Sequence, residues 1–324
     1  MHTFIGTNLT QMQPPKSEEN TFPKARLTNG ILDAELYLPN TDKGYYRGVR
    51  FDWSGVIPHL DYKGHNFFGK WNPAPHDPYY HDAIMGPVEE FSEIGFDNAL
   101  AEELFLKIGV GALLKPDDEP CSFLRYYQIS NPGRWRVTEH PDYVEFIHEL
   151  SDAAGYSYEY CKTILLVSGQ PEMVINHSLK NTGTKAIETS VYNHNFFVID
   201  QEPTNQNILT TFPFEIQAEG LGFGTIAHAQ DRSIVYDRPL KEGENAFCGD
   251  IRGFGATPKD YNILIQNLKS GAEVRITGDQ PIEKLIYWSC PTSSCPEPYT
   301  KLSVQPGDVK TWRISYEFSV QDHS

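Results

Sequence analysis

The chain has 324 residues, enough to bury a sizeable core as one large β domain or two small domains. Its 27 Lys and Arg stand against 43 Asp and Glu, a formal net charge of −16. With no basic run to neutralise phosphates, that balance argues against a nucleic acid or an anionic membrane surface as partner. No apolar stretch approaches the length that crosses a bilayer as a helix. Aromatic residues make up 13%, which alongside abundant Gly and Pro fits many short strands joined by turns. The five cysteines, Cys121, Cys161, Cys248, Cys290 and Cys295, are odd in number and sparse, which favours reduced thiols. Cys290 and Cys295 flank a Pro/Ser turn, so a pairing between them stays open. Met1 to Asn20 is polar and lacks the apolar core of a secretory leader. A cytoplasmic protein is the expectation, or a periplasmic or secreted one if a signal has been trimmed.

In chain order, residues 1–25 read as a polar, Pro-containing arm lying on the domain formed by 26–324. Leu27 to Pro39 holds a turn signal followed by Ile31, Ala34, Leu36 and Leu38, and Val49 to His65 reads as a hairpin turning at Gly64. Gly69 to Pro87 is loop-like. Asn98 to Lys107 has helix formers, but its apolar run serves equally as a strand. Runs beginning at Tyr143, Tyr160 and Met173 form a ladder of strand-length segments, and Asn181-Thr-Gly-Thr turns into the next. Asp200 to Lys259 shows few periodic runs and is expected to cross the mouth of a site. Strands return at Tyr261, Ala272 and Leu285. The last is the clearest, with Lys310, Trp312, Ile314, Tyr316 and Phe318 alternating against Thr311, Arg313, Ser315 and Glu317. No repeat or linker divides the chain, so the reading is one all-β domain with few or no helices.

Two stretches carry chemistry. Lys185 to Phe197 is rich in β-branched and aromatic residues, and period two puts Ser190, Tyr192, His194 and Phe196 on one face. An imidazole between aromatic rings suits a concave polar site, although a core histidine held by a backbone carbonyl gives the same pattern. About a hundred residues later, Ser294-Cys-Pro-Glu-Pro-Tyr299 puts the lone carboxylate of Glu297 in what reads as a Pro-bracketed loop.

Together these stretches resemble the aldose 1-epimerase (galactose mutarotase) family. Pro171 to Thr184 followed by Tyr192-Asn-His-Asn-Phe-Phe is similar to its paired strands and Asn-His-x-x-Phe signature. Ser270 to Pro281 resembles the hairpin before its base, and Gln305-Pro-Gly-Asp its turn into the closing strand. The resemblance implies a galactose-mutarotase-like β-sandwich and interconversion of sugar anomers by acid–base ring opening, with no cofactor and no metal. His194 would be the general acid and Glu297 the general base, on opposite sides of a bound ring. Asp260 and Asn193 would hold sugar hydroxyls, although Asp260 reads equally as a turn residue. The partner would be a small carbohydrate, the protein a monomer or homodimer.

The first third departs from the family pattern. Where an Arg and a second His are usual, Glu89, Glu90 and Ile94 stand. The resemblance therefore points away from plain galactose or glucose and toward a modified or acidic sugar, with Arg47, Arg50, Arg125 or His81 as replacement cations. A carbohydrate-binding protein without turnover, or another sugar-active enzyme on the same fold, is the alternative. His76-Asp-Pro-Tyr-Tyr-His81-Asp82 clusters metal-type ligands, but without a helical or zinc-finger spacing. There is no Gly-x-Ser-x-Gly elbow, phosphate-binding glycine loop or Cys-x-x-Cys pair.

Overall fold

The computed structural model describes residues 22–321, so most of the expected N-terminal arm lies outside the described residues. Within them the chain folds into antiparallel sheets of four, ten, five and three strands, with three short 3-10 turns and no α-helix. No helix of the described residues is long and apolar enough to cross a membrane. The all-β sandwich expectation holds.

The alternation read from the sequence becomes alternation of burial. Tyr156–Leu166, Asn262–Asn267 and Val309–Val320 each turn every second side chain inward. They belong to the ten-stranded sheet, whose centre runs Asn262–Asn267, Ala272–Gly278, Val309–Val320, Glu172–Asn181, Tyr156–Leu166. The five-stranded sheet lies against it, in the order Ala246–Cys248, Lys284–Cys290, Ser293–Val304, Ile187–Phe196, Gly86–Phe91. Phe91, Val191 and Leu302 from the smaller sheet share a core cluster with Tyr160, Leu179 and Trp312 from the larger.

A polar seam interrupts this interface. The fully buried Glu89 accepts hydrogen bonds from His177 Nε2 (2.8 Å), Asn193 Nδ2 (3.0 Å) and Lys162 Nζ. Lys162 Nζ also donates to Ser54 O at 2.9 Å and lies 3.6 Å from Asp52 Oδ2. Burial alone would raise Glu89, but Lys162 and the His177 hydrogen bond outweigh it and hold the carboxyl at about 2. Asp52 goes the other way, pushed up to about 6 by burial despite Lys162.

Local outcomes refine the sequence reading. Val56–Tyr62 and His65–Asn66 form the expected hairpin, its two-residue turn built by Lys63 (φ 53°) and Gly64 (φ 81°). Two left-handed residues match a type I′ turn, which glycine favours. The ambiguous Asn98–Lys107 segment resolves as a 3-10 turn, Phe96–Asn98, and a strand, Leu104–Lys107. Asp200 to Lys259 is not chiefly a loop over a site. It carries four short strands, and Ile208, Phe212, Ile226, Ile234 and Ile251 enter the main core. All five cysteines are free.

Candidate functional site

The outer face of the five-stranded sheet is the floor of a cleft of about 360 Å³. Period two explains which side chains reach it. On Ile187–Phe196, Tyr192, His194 and Phe196 face the cleft, while Asn193 and Asn195 face the larger sheet. Glu90, paired with Tyr192, faces the cleft, and its neighbour Glu89, paired with Asn193, faces the seam. Trp71, Asp82 and Phe123 close the cleft from outside the sheet.

Glu297 is not in a loop. It lies within the strand Ser293–Val304, in register with Ile286 of Lys284–Cys290. On its other side the ladder to Ile187–Phe196 runs unbroken from Ile187/Val304 to Tyr192/Tyr299, stops, and resumes as the single bridge Phe197/Ser294. Pro296 and Pro298 fall inside the interruption and have no N–H to contribute. Asn195 Nδ2 donates to Pro296 O at 2.9 Å, so a side chain serves the carbonyl there. The same register continued through the gap sets His194 opposite Glu297, and their side chains meet, Nε2 to Oε1 3.3 Å.

That contact corrects the arrangement with a sugar ring between acid and base. The two groups stand side by side on one wall, both about 4% exposed. Burial pushes Glu297 up to about 8, Glu90 adding to the rise and Arg50 opposing it. Burial and Arg50 push His194 well below the ordinary imidazole range. Near neutrality the pair therefore holds its proton on the carboxyl, beside a neutral imidazole. Phe196 stacks on the imidazole at 3.7 Å, 8° from parallel, and Phe51 and Trp288 meet its edges. His194 Nδ1 has no hydrogen-bond partner, so the ring is held by aromatic packing and by Glu297.

Of Arg47, Arg50, Arg125 and His81, Arg50 is the one that lines the cleft. Its Nε donates to Glu90 Oε2 (2.7 Å) and its Nη1 to Asp82 Oδ1 (2.8 Å). The rings of Phe51 and Phe123 lie against its guanidinium, with centroids 4.5 and 4.2 Å away. Glu90 also accepts from Tyr192 OH at 2.6 Å. Burial would raise Glu90, yet Arg50, Lys107 and the Tyr192 hydrogen bond bring it below its ordinary value.

The remaining expected residues fall elsewhere. Asn193 is committed to Glu89 on the opposite face. Asp260 ends the 3-10 turn Pro258–Asp260 and accepts from Gly255 N at 2.8 Å, the turn role. Arg125 pairs with Asp117 in a part-exposed loop. Arg47 lies over the ring of Tyr79. His81 is 3.4 Å from Asp82 and packs on Phe123 without lining the cleft. Ile94 is core. In the His76–Asp82 segment, His76 is taken by Tyr45 O at 2.9 Å, and no trio of metal-type ligands gathers among the described residues. Asp82, Glu90 and Trp288 were missed. Period two on Glu89-Glu90 would have flagged Glu90, because one of two adjacent strand residues must face each side.

No protein-family model matches the chain, and no curated protein matches it in sequence. Solved structures do match in shape. A protein from Synechocystis sp. PCC 6803 is 13% identical with a TM-score of 0.59, covering 96% of this chain and 100% of its own. A galactose mutarotase related enzyme from Lactobacillus acidophilus is 11% identical with a TM-score of 0.55, covering 92% and 98%. An aldose epimerase homologue from C. elegans is 13% identical with a TM-score of 0.52, covering 92% and 99%. The likeness runs along nearly the whole of both chains, and this protein accordingly has the galactose mutarotase-like fold.

Proposed function

We propose that the protein is an aldose 1-epimerase-like isomerase that interconverts the anomers of a modified sugar through His194 and Glu297. The observation that supports this is the His194–Glu297 contact in a cleft of sugar size walled by aromatic rings. Ring opening requires one proton to reach the ring oxygen and another to leave the C1 hydroxyl. Both oxygens are bonded to C1, so two groups standing side by side can serve them from one edge of the ring. Glu297, which holds the proton of the pair, gives it to the ring oxygen as the C1–O bond breaks. The C1 hydroxyl proton returns to the pair, and rotation about C1–C2 followed by closure reverses the steps. The acid is thus the carboxyl, an exchange of the roles implied by the sequence resemblance. Phe123 and Phe247 offer exposed aromatic surface, and Arg50 holds Glu90 and Asp82 in place.

The closeness of His194 and Glu297 also supports a second reading, a carbohydrate-binding protein in which the pair is only part of the wall. Polarimetry separates the two. On the isomerase reading, freshly dissolved α-anomers of some neutral or modified hexose reach equilibrium faster with the protein than without it. Binding of those sugars with no acceleration of any of them would leave the second reading.

A further inference from the structure

Arg50 is the only Lys or Arg among the described residues that line the cleft, and each of its three nitrogens already has a partner in the wall, Nη2 donating to Tyr192 OH at 3.4 Å. Its fork is divided between Glu90 and Asp82, and its guanidinium lies against Phe51 and Phe123. Lys107, 3.5 Å from Glu90 Oε1, lines the neighbouring cavity, and Lys284 lies over the ring of Tyr299 outside the lining. Against one committed cation stand the carboxylates of Asp82 and Glu90, with the protonated carboxyl of Glu297 beside them. At the cleft, Phe123 and Phe247 are 46% and 41% exposed, so aromatic surface is free to meet a ligand.

We propose that the cleft takes a ring bearing an ammonium group in preference to one bearing a carboxylate or phosphate; this rests on the sugar reading of the same site. A carboxylate entering here would meet the carboxylates of Asp82 and Glu90, and would compete with them and with Tyr192 OH for Arg50. An ammonium group gains from the same carboxyls and from the faces of the aromatic rings. The acidic-sugar option left open by the sequence is thereby disfavoured, and an amino sugar favoured.

The test is a titration of the intact protein, in mildly acidic buffer, with glucosamine, N-acetylglucosamine, glucose and glucuronate, followed by tryptophan fluorescence and calorimetry. Glucosamine is expected to bind about tenfold more tightly than glucose, with N-acetylglucosamine losing that gain because its nitrogen is uncharged. Glucuronate is expected to bind more weakly than glucose. Asp82→Asn, which removes one negative charge while keeping the Oδ1 acceptor for Arg50 Nη1, is expected to narrow the gap between glucosamine and glucuronate. Glucuronate binding the wild type as well as glucosamine does would overturn the inference, and that comparison needs no variant. If glucose binds and glucosamine gains nothing over it, charge selection falls while the sugar reading stands. If no sugar binds but the ring amine piperidine does, the sugar reading falls and charge selection survives. Binding of neither overturns both.

Discussion

His194 and Glu297 are opposite one another on neighbouring strands, in a part of the ladder that Pro296 and Pro298 leave without backbone pairing. The pair is a product of strand register. A one-residue slip would turn either side chain to the far face. Register here is pinned on both sides of the gap, by Tyr192/Tyr299 and by Phe197/Ser294. Asn195 strengthens it from behind, accepting from Tyr316 OH at 2.9 Å while donating to Pro296 O.

A pH dependence follows from the burial of that pair. Glu297 is raised to about 8, so the folded state holds this proton more tightly than the unfolded chain does. Stability contributed by that proton is full below the ordinary carboxyl range and declines as the pH rises toward about 8. Activity should be level across neutrality and fall above about 8, with an acid limb below the usual imidazole value. Glu297→Gln should abolish the alkaline loss of stability, leaving the variant more stable than wild type at alkaline pH by on the order of a few kcal/mol. Denaturant titrations at mildly acidic and alkaline pH would check this. Identical pH dependence in both proteins would contradict the buried-carboxyl assignment.

The seam beneath the cleft makes a separate prediction about stability. Lys162→Met removes the cation that faces both Glu89 and Asp52 and leaves them buried without it. The expected cost is about 3–5 kcal/mol, read as a shift in the urea midpoint at unchanged slope. A loss under about 1 kcal/mol would mean that water reaches the seam.

Arg50→Lys tests the clamp. A lysine keeps the charge but cannot bond Glu90 and Asp82 through a planar fork, nor present a flat face to Phe51 and Phe123. KM for the sugar should rise about tenfold with kcat changed much less, because the cleft walls are displaced while the dyad remains. An equal fall in kcat and kcat/KM would instead put Arg50 in the chemical step.

Much of this was legible in the sequence, and what was not has physical causes. Strands such as Tyr156–Leu166 and Val309–Val320 announce themselves because one face is buried. Glu297 read as a loop residue because prolines normally mark turns, and only the sheet shows that the two fall where one ladder is interrupted. Asp200 to Lys259 looked irregular because its strands are three or four residues long, too short to display a period. The choice of Arg50 over Arg47, Arg125 and His81 depends on contacts between segments far apart in the chain, Arg50 with Glu90 and Arg125 with Asp117. No local pattern encodes that.

The central claim is that His194 and Glu297 act together on one ring opening, and exchange NMR between anomers tests it most directly. Wild type, His194→Asn, Glu297→Gln and the double variant are compared on a sugar that the wild type interconverts, with affinity read from the same spectra. Each single substitution should slow exchange roughly a hundredfold or more with little change in affinity. The double variant should be far less impaired than the product of the two single effects, because both residues act on the same ring opening. Exchange as fast in Glu297→Gln as in wild type, or two single effects that simply multiply, would contradict the account.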